Sequence, residues 1–308
     1  MEIKTAAVIG MGAVGSVYAK RLFDRYGDRF FAIAGSARAQ RLRHSGVTLD
    51  GETFSPQVRE PGEAAEPADL LLVCVKNYQL EAAIGEMRPF VGGGTLILPL
   101  LNGVTATARL RAACPEATVF CGLAMALDAV RTEGGVEHSS DGEIHFGMED
   151  TIHFLPQVTA ADQFLCGAGL QTHVFPHMQH AVWKKWMLNV GLNQISALTG
   201  ASYGDFTRLP EVMELAKAAM REVVQLAQAA QIELSDADIE SIPPIVATLL
   251  PEGKTSMLQD MEAGRRTEVE SFAGTVLELG RRYGVDTPVN ALLYRLLTAK
   301  EAVSRANA

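Results

Sequence analysis

Three glycines near the start of the chain are spaced for contact with a dinucleotide. They fall in Gly10-Met11-Gly12-Ala13-Val14-Gly15, directly after the apolar run Ile3 to Ile9. Downstream, Val14, Val17, Tyr18 and Leu22 recur at helical spacing. A strand, a glycine turn and an opening helix together form the dinucleotide-binding fingerprint. Each glycine has its own reason: Gly10 for the tight turn, Gly12 for backbone approach to a pyrophosphate, Gly15 for close packing of helix on strand. The helix N-terminus then offers free N–H groups and partial positive charge to the anion. Without a ligand the same pattern is an ordinary strand–turn–helix; its placement in the chain favours the binding reading. The ribose is read at the end of the second strand, in Ala34 to Arg41. That segment has no acid for a 2′-hydroxyl, but it holds Ser36, Arg38 and Arg41, which suit a 2′-phosphate and hence NADP(H).

A second group lies far downstream. Lys185, Asn189 and Asn193 recur at i, i+4, i+8 and share one helix face. Their neighbours are Trp183, Trp186, Met187, Leu188 and Val190, so most of that helix should be buried. The stripe reads two ways: a polar cleft, or a solvated face. Ser256 to Asp260 and Thr267-Glu268 form another polar cluster. There Ser256 could simply be an N-cap with Gln259 completing a capping box, and Glu268 an exposed helix charge. Lys76 and Asn102 follow two apolar strands, where ligands of open α/β sheets bind.

Alternating elements must position these residues. Apolar runs at 3–9, 30–34, 70–75, 95–101 and 119–126 read as strands, with helical patterns at 13–26 and 79–87 between them. Leu70 to Val75 lacks polar alternation, as a parallel strand buried on both faces does. Residues 133–147 read as a hairpin or loop with short strands near Val136 and Ile144, and Val174 to Pro176 as the last strand. Beyond them, helical patterns run over 180–199, 210–231, 255–283 and 288–304. The fold class expected is α/β: an N-terminal doubly wound Rossmann-type sheet over 1–177, then an all-helical domain over 178–308.

Composition removes several alternatives. The 308 residues carry 27 Lys+Arg against 36 Asp+Glu, a net charge of −9, which speaks against a general nucleic-acid binder. Hydrophobic residues at 48% and charged residues at 20% describe a globular chain. No run reaches the roughly 18 apolar residues of a membrane span. The N-terminus lacks a signal peptide's basic region and long apolar core, so a cytoplasmic protein is expected. Cys74, Cys114, Cys121 and Cys166 form no C-x-x-C pair and read as free thiols. His173, His177 and His180 are close in sequence but lack a recognised ligand spacing, so no metal site is expected.

Taken together, these segments resemble the ketopantoate reductase (2-dehydropantoate 2-reductase) family nearly end to end. The likeness rests on V-I-G-M-G-A-V-G, V-K-N-Y-Q, L-N-G-V, W-K-K-W-M-L-N-V-G-L-N and S-M-L-Q-D-M-E-A-G-R-R-T-E. The last two are specific in combination; the glycine loop is shared by many folds. The resemblance implies NADPH-dependent reduction of ketopantoate to pantoate in pantothenate synthesis. It matches Lys185 to the catalytic lysine, acting as general acid, and Glu268 to its acidic partner. Asn189, Asn193 and Ser256 match substrate-binding positions, and Lys76 and Asn102 lie near the nicotinamide and the reacting carbonyl. The chain departs from the family at Gly35 or Ser36, where an arginine is frequent, at Asn77, where a small residue is usual, and at Tyr203, where an asparagine is. Relatives reduce other branched 2-oxo acids, which is the main alternative; a dinucleotide sensor without turnover is another. The helical half offers surfaces of the kind that pair in homodimers.

Overall fold

The computed structural model describes residues 2–63, 66–149 and 155–307. The chain divides into two compact units, Met1–Gln179 and His180–Ala308.

A six-stranded sheet forms the heart of the first unit. Its order is Gln57–Arg59, Phe30–Ile33, Ala6–Ile9, Leu70–Val73, Leu96–Pro99, Thr118–Val119, and every neighbouring pair is parallel. The chain starts in the middle, builds outward on one side, then crosses to the other. The crevice between Ala6–Ile9 and Leu70–Val73 is therefore the topological switch point. Alternate residues feed two separate cores. Ala6, Val8, Phe30, Ala32, Leu70 and Leu72 pack on one face. Ala7, Ile9, Phe31, Ile33, Leu71 and Val73 pack on the other. Both faces are covered, which is why these strands show no polar alternation.

The helix Ala13–Tyr26 forms where its spacing predicted. Two smaller sheets complete this unit. One joins Asp128–Thr132, Gly135–Ser140, Val47–Leu49 and Glu52–Phe54; the other joins Gln171–Phe175, Glu143–Gly147 and Cys121–Met125. The last strand is thus longer than Val174 to Pro176. Helices Ser36–Ser45, Ala106–Ala113 and Pro156–Gly167 lie outside the helical patterns read from the sequence. Their apolar spacing is short, and only packing against the sheet settles them.

The described residues of the second unit are helical or irregular. Met178–Thr199 packs on Pro210–Ala229 so closely that a Cβ on Gly191 would lie 2.3 Å from the Met220 side chain. The pattern over 255–283 is not one helix, a correction to the expectation. Ser256–Glu262 ends at a turn where Gly264 takes φ +64°, a π-turn covers Glu270–Gly274, and Thr275–Tyr283 follows. Arg265 seals the break: its N–H reaches the Asp260 carbonyl at 2.8 Å and its Nε the Asp260 carboxylate at 2.9 Å. No helix among the described residues is long and apolar enough to cross a membrane.

Candidate active site

The first unit gathers its candidate residues along the carboxyl edge of the parallel sheet. Gly10 takes φ +98°, and a Cβ there would sit 2.7 Å from the Cys74 backbone. A Cβ on Gly15 would lie 1.9 Å from the Gly10 carbonyl oxygen, so only glycine lets the helix approach. At Gly12, by contrast, a Cβ would meet nothing within 4 Å. Gly12 is the N-cap of Ala13–Tyr26, with no side-chain cap and no acid in the first turn. This helix end keeps its N–H donors and its positive dipole for an anion. Met11, Ala13 and Val14 line the same turn and are partly buried.

Lys76 and Asn102 follow neighbouring strands and stand on the same edge. Both are partly buried. The Lys76 N–H donates to Gln79 Oε1 at 3.3 Å, and the buried Asn77 side-chain amide donates to the Asn102 carbonyl. Asn77 thus ties the two loops together.

The end of the second strand is more acidic in the fold than its own segment suggests. Ser36 and Arg38 lie exposed at the start of Ser36–Ser45, and Ser36 takes φ +41°. The segment contains no acid, but the fold brings two to it. Glu86 accepts from the Gly35 N–H at 3.1 Å, and Glu60 accepts from the Ser36 N–H at 3.1 Å. Arg43 pairs with Glu60 and Glu63. A groove of about 560 Å³ is lined here by Gly35, Ser36, Glu60, Glu63 and Glu86. Glu60 and Glu86 are 24 and 51 residues from their partners along the chain, beyond the reach of local spacing.

The second unit buries the lysine–asparagine stripe. Asn189 and Asn193 are 7% and 6% exposed, Lys185 is partly buried, and Trp186 and Met187 beside them are closed off. A solvated face is excluded by that burial. Lys184, one step around the helix, ends instead at Asp238 (3.2 Å), which also takes His180 at 3.0 Å. Burial pulls the Lys185 ammonium down to about 8, and the Glu268 carboxylate opposes that fall. Glu268 is 3% exposed, so it is not a surface helix charge.

Glu268 is placed by a device that the sequence did not reveal. Glu301, 8% exposed near the end of Pro288–Ala306, accepts from the Thr267 N–H at 2.9 Å and from the Thr267 hydroxyl. Trp186 donates its indole N–H to the Ser271 carbonyl at 2.9 Å, which ties the lysine helix to the turn after Glu268. Ser256 is exposed and opens its helix; the N-cap is Thr255, whose hydroxyl accepts from the Leu258 N–H at 3.3 Å. Capping therefore does not occupy Ser256. The cysteines are free, as expected, and burial pushes the Cys74 thiol up to about 12 and Cys121 up to about 11. Neither is a thiolate nucleophile near neutral pH.

Comparison with known proteins gives a consistent result. The family described as "Ketopantoate reductase PanE/ApbA" matches residues 6–150, and its C-terminal counterpart matches 177–301. The 2-dehydropantoate 2-reductase of Halobacterium salinarum is 31% identical over 290 residues, covering 92% of this chain and 94% of that one. A ketopantoate reductase structure from Ralstonia eutropha JMP134 superposes with a TM-score of 0.83 at 26% identity, covering 98% of this chain and 99% of the other. The fold is shared too by D-mandelate dehydrogenase, solved with NADH and anilino(oxo)acetate, at a TM-score of 0.87, 21% identity and coverage of 98% and 99%. With both halves matched in order and almost the whole chain covered, this chain belongs to the ketopantoate reductase family.

Proposed function

We propose that the chain reduces a branched 2-oxo acid, with 2-dehydropantoate as substrate and NADPH as reductant, yielding pantoate for pantothenate synthesis. The observation that carries this reading is Lys185: a lysine in a buried polar stripe, held near pKa 8 and faced by the buried Glu268. A general acid works best when its pKa lies close to the working pH.

The glycine turn fits a dinucleotide, because Gly12 leaves open space before an uncapped helix end. Bound there, the dinucleotide supplies the hydride. Lys185 polarises the substrate carbonyl and donates a proton to its oxygen as negative charge develops. Glu268 keeps the lysine protonated and orients it. Ser256 takes the substrate carboxylate, and Asn189 and Asn193 hold the hydroxyl end. Lys76 and Asn102, on the carboxyl edge of the parallel sheet, would hold the nicotinamide end of the dinucleotide.

Ser36 and Arg38 support NADPH. A second reading rests on Glu60 and Glu86, whose carboxylates suit a ribose 2′-hydroxyl and oppose a 2′-phosphate. It makes the protein an NADH-dependent reductase of another 2-oxo acid; D-mandelate dehydrogenase, which has this fold, was solved with NADH.

The experiment is to follow loss of reduced-cofactor absorbance with 2-dehydropantoate, NADPH and NADH in parallel, then with other branched 2-oxo acids. Fast oxidation of NADPH with 2-dehydropantoate is expected. Preference for NADH, increased by no change at Arg38 and lost on Glu86→Gln, establishes the second reading. Tight dinucleotide binding without turnover on the whole panel defeats both and leaves a sensor.

A further inference from the structure

We propose that Glu143, His145 and His173 form a binding site for a divalent zinc ion on the three-stranded sheet of the first unit.

Strand pairing builds the cluster. Glu143 and His145 are two residues apart on Glu143–Gly147, so they share one sheet face. His173 lies directly across from His145 on the parallel neighbour Gln171–Phe175. The opposite face carries Ile144 and Phe146, both fully buried in the core, so the backbone beneath the three side chains is fixed. The set is built from two rigid strands rather than a loop, which limits the reorganisation needed to bind an ion.

The distances suit the ion. Glu143 Oε2 lies 2.8 Å from His145 Nε2 and 3.2 Å from His173 Nε2. All three donor atoms fall within 4.8 Å of one another. Zinc bonded to nitrogen and oxygen at about 2.0–2.1 Å in a tetrahedron separates its ligands by about 3.3 Å. Against that spacing the Glu143 oxygen sits about 0.5 Å too near His145 and about 0.1 Å too near His173. Two imidazoles and one carboxylate form a donor set typical of zinc, with a fourth position left to water.

The rings are also oriented. His145 and His173 meet edge to face at 4.9 Å, and the Phe175 ring lies 5.4 Å from His145. The His173 side chain is 51% exposed and gives the ion a route in. His177 and His180 are its sequence neighbours, but His180 pairs with Asp238 and takes no part. The ligands come from positions 28 residues apart, which explains why sequence spacing alone pointed to no metal.

The test is calorimetric titration of the full-length protein with ZnCl2 in a non-chelating buffer. One equivalent per chain at micromolar or tighter affinity is expected, with a rise in Tm. Replacing the probe by CoCl2 should give the intense visible bands of a tetrahedral ion. His145→Ala and His173→Gln should each weaken binding at least tenfold and remove the Co²⁺ bands; the exposed His173 can change without loss of fold. MgCl2 should not compete, since a hard ion prefers an all-oxygen octahedron. Absence of zinc binding overturns the proposal, as does binding that persists unchanged in both histidine variants.

Discussion

The glycine turn and the lysine stripe handle charge by opposite means. The turn is made of backbone. Its cationic character comes from unpaired N–H groups at a helix end, and its shape from three glycines within six residues. No acidic side chain stands in the first turn of its helix. The stripe is made of side chains, and its central group is a lysine whose charge is costly to bury. Side chains far away in sequence must support it: Glu268 lies 83 positions on, and Glu301 holds the residue before Glu268. A backbone site is sterically brittle and electrostatically cheap, whereas a side-chain site is sterically tolerant and electrostatically expensive. Substitutions should therefore fail in different ways on the two sides.

The sharpest break is steric. Gly15→Ala puts a methyl 1.9 Å from the Gly10 carbonyl, so folded yield and dinucleotide binding should collapse together. Gly12→Ala meets no protein atom, so Tm should hold while dinucleotide Kd rises. Equal Tm losses in the two variants, measured by thermal melts, would refute the distinction. On the other side, Lys185→Ala should lower kcat by roughly 10²–10⁴ with dinucleotide affinity unchanged. Near-normal turnover would remove Lys185 from the chemistry.

Smaller effects probe the supports. Glu301→Gln weakens the hold on Thr267, a buried contact worth about 1–3 kcal/mol. Turnover should fall about tenfold by that reasoning, and the pH profile should move because Glu268 shifts relative to Lys185. A loss of Tm with an unmoved profile would make Glu301 structural only.

The pH dependence has a definite sign. Reduction needs protonated Lys185, so kcat/KM should fall as pH rises through about 8, while the reverse oxidation should rise. Glu268→Gln removes the charge that raises the lysine, so both transitions should move to lower pH. A pH-independent oxidation rate from 6 to 10 would count against the assignment.

The smallest effect is on stability. Lys185 has a folded pKa below its unfolded value, so the unfolded chain binds more protons between about 8 and 10.5 and stability rises with pH there. The burial penalty is fully present below 8. Lys185→Met should therefore raise Tm by a few degrees at pH 7, and the gain should shrink by pH 10. An inactive variant with a lowered Tm would show that the lysine is well paid for by its partners.

Much of the fold is legible in the sequence, for a physical reason. Gly10, Gly12 and Gly15 act within a few residues of one another, and short-range sterics leave a local trace. Buried parallel strands show it as unbroken apolar runs, and Ala13–Tyr26 shows it as periodicity. The all-helical reading of the second half also stood, but its long third segment did not. The break at Gly264 is held by Asp260 and Arg265, and a surface helix would carry the same two residue types. Ser256 looked like a cap because Thr255 beside it is equally able to be one.

Local sequence, then, determined the turn, the four central strands of the parallel sheet, the order of the two halves and the helix face that unites Lys185, Asn189 and Asn193; the strands Val47–Leu49, Glu52–Phe54 and Gln57–Arg59, and the split of 119–126 between two sheets, it did not. What it determined rests on backbone conformation and side-chain period, which depend on near neighbours. Tertiary structure alone decided that this face is buried, that Glu268 and Glu301 support it, that Glu60 and Glu86 reach the end of the second strand, and that His173 meets His145 and Glu143. Those are matters of charge and hydrogen bonding at short distance between residues far apart in the chain, and only folding sets that distance.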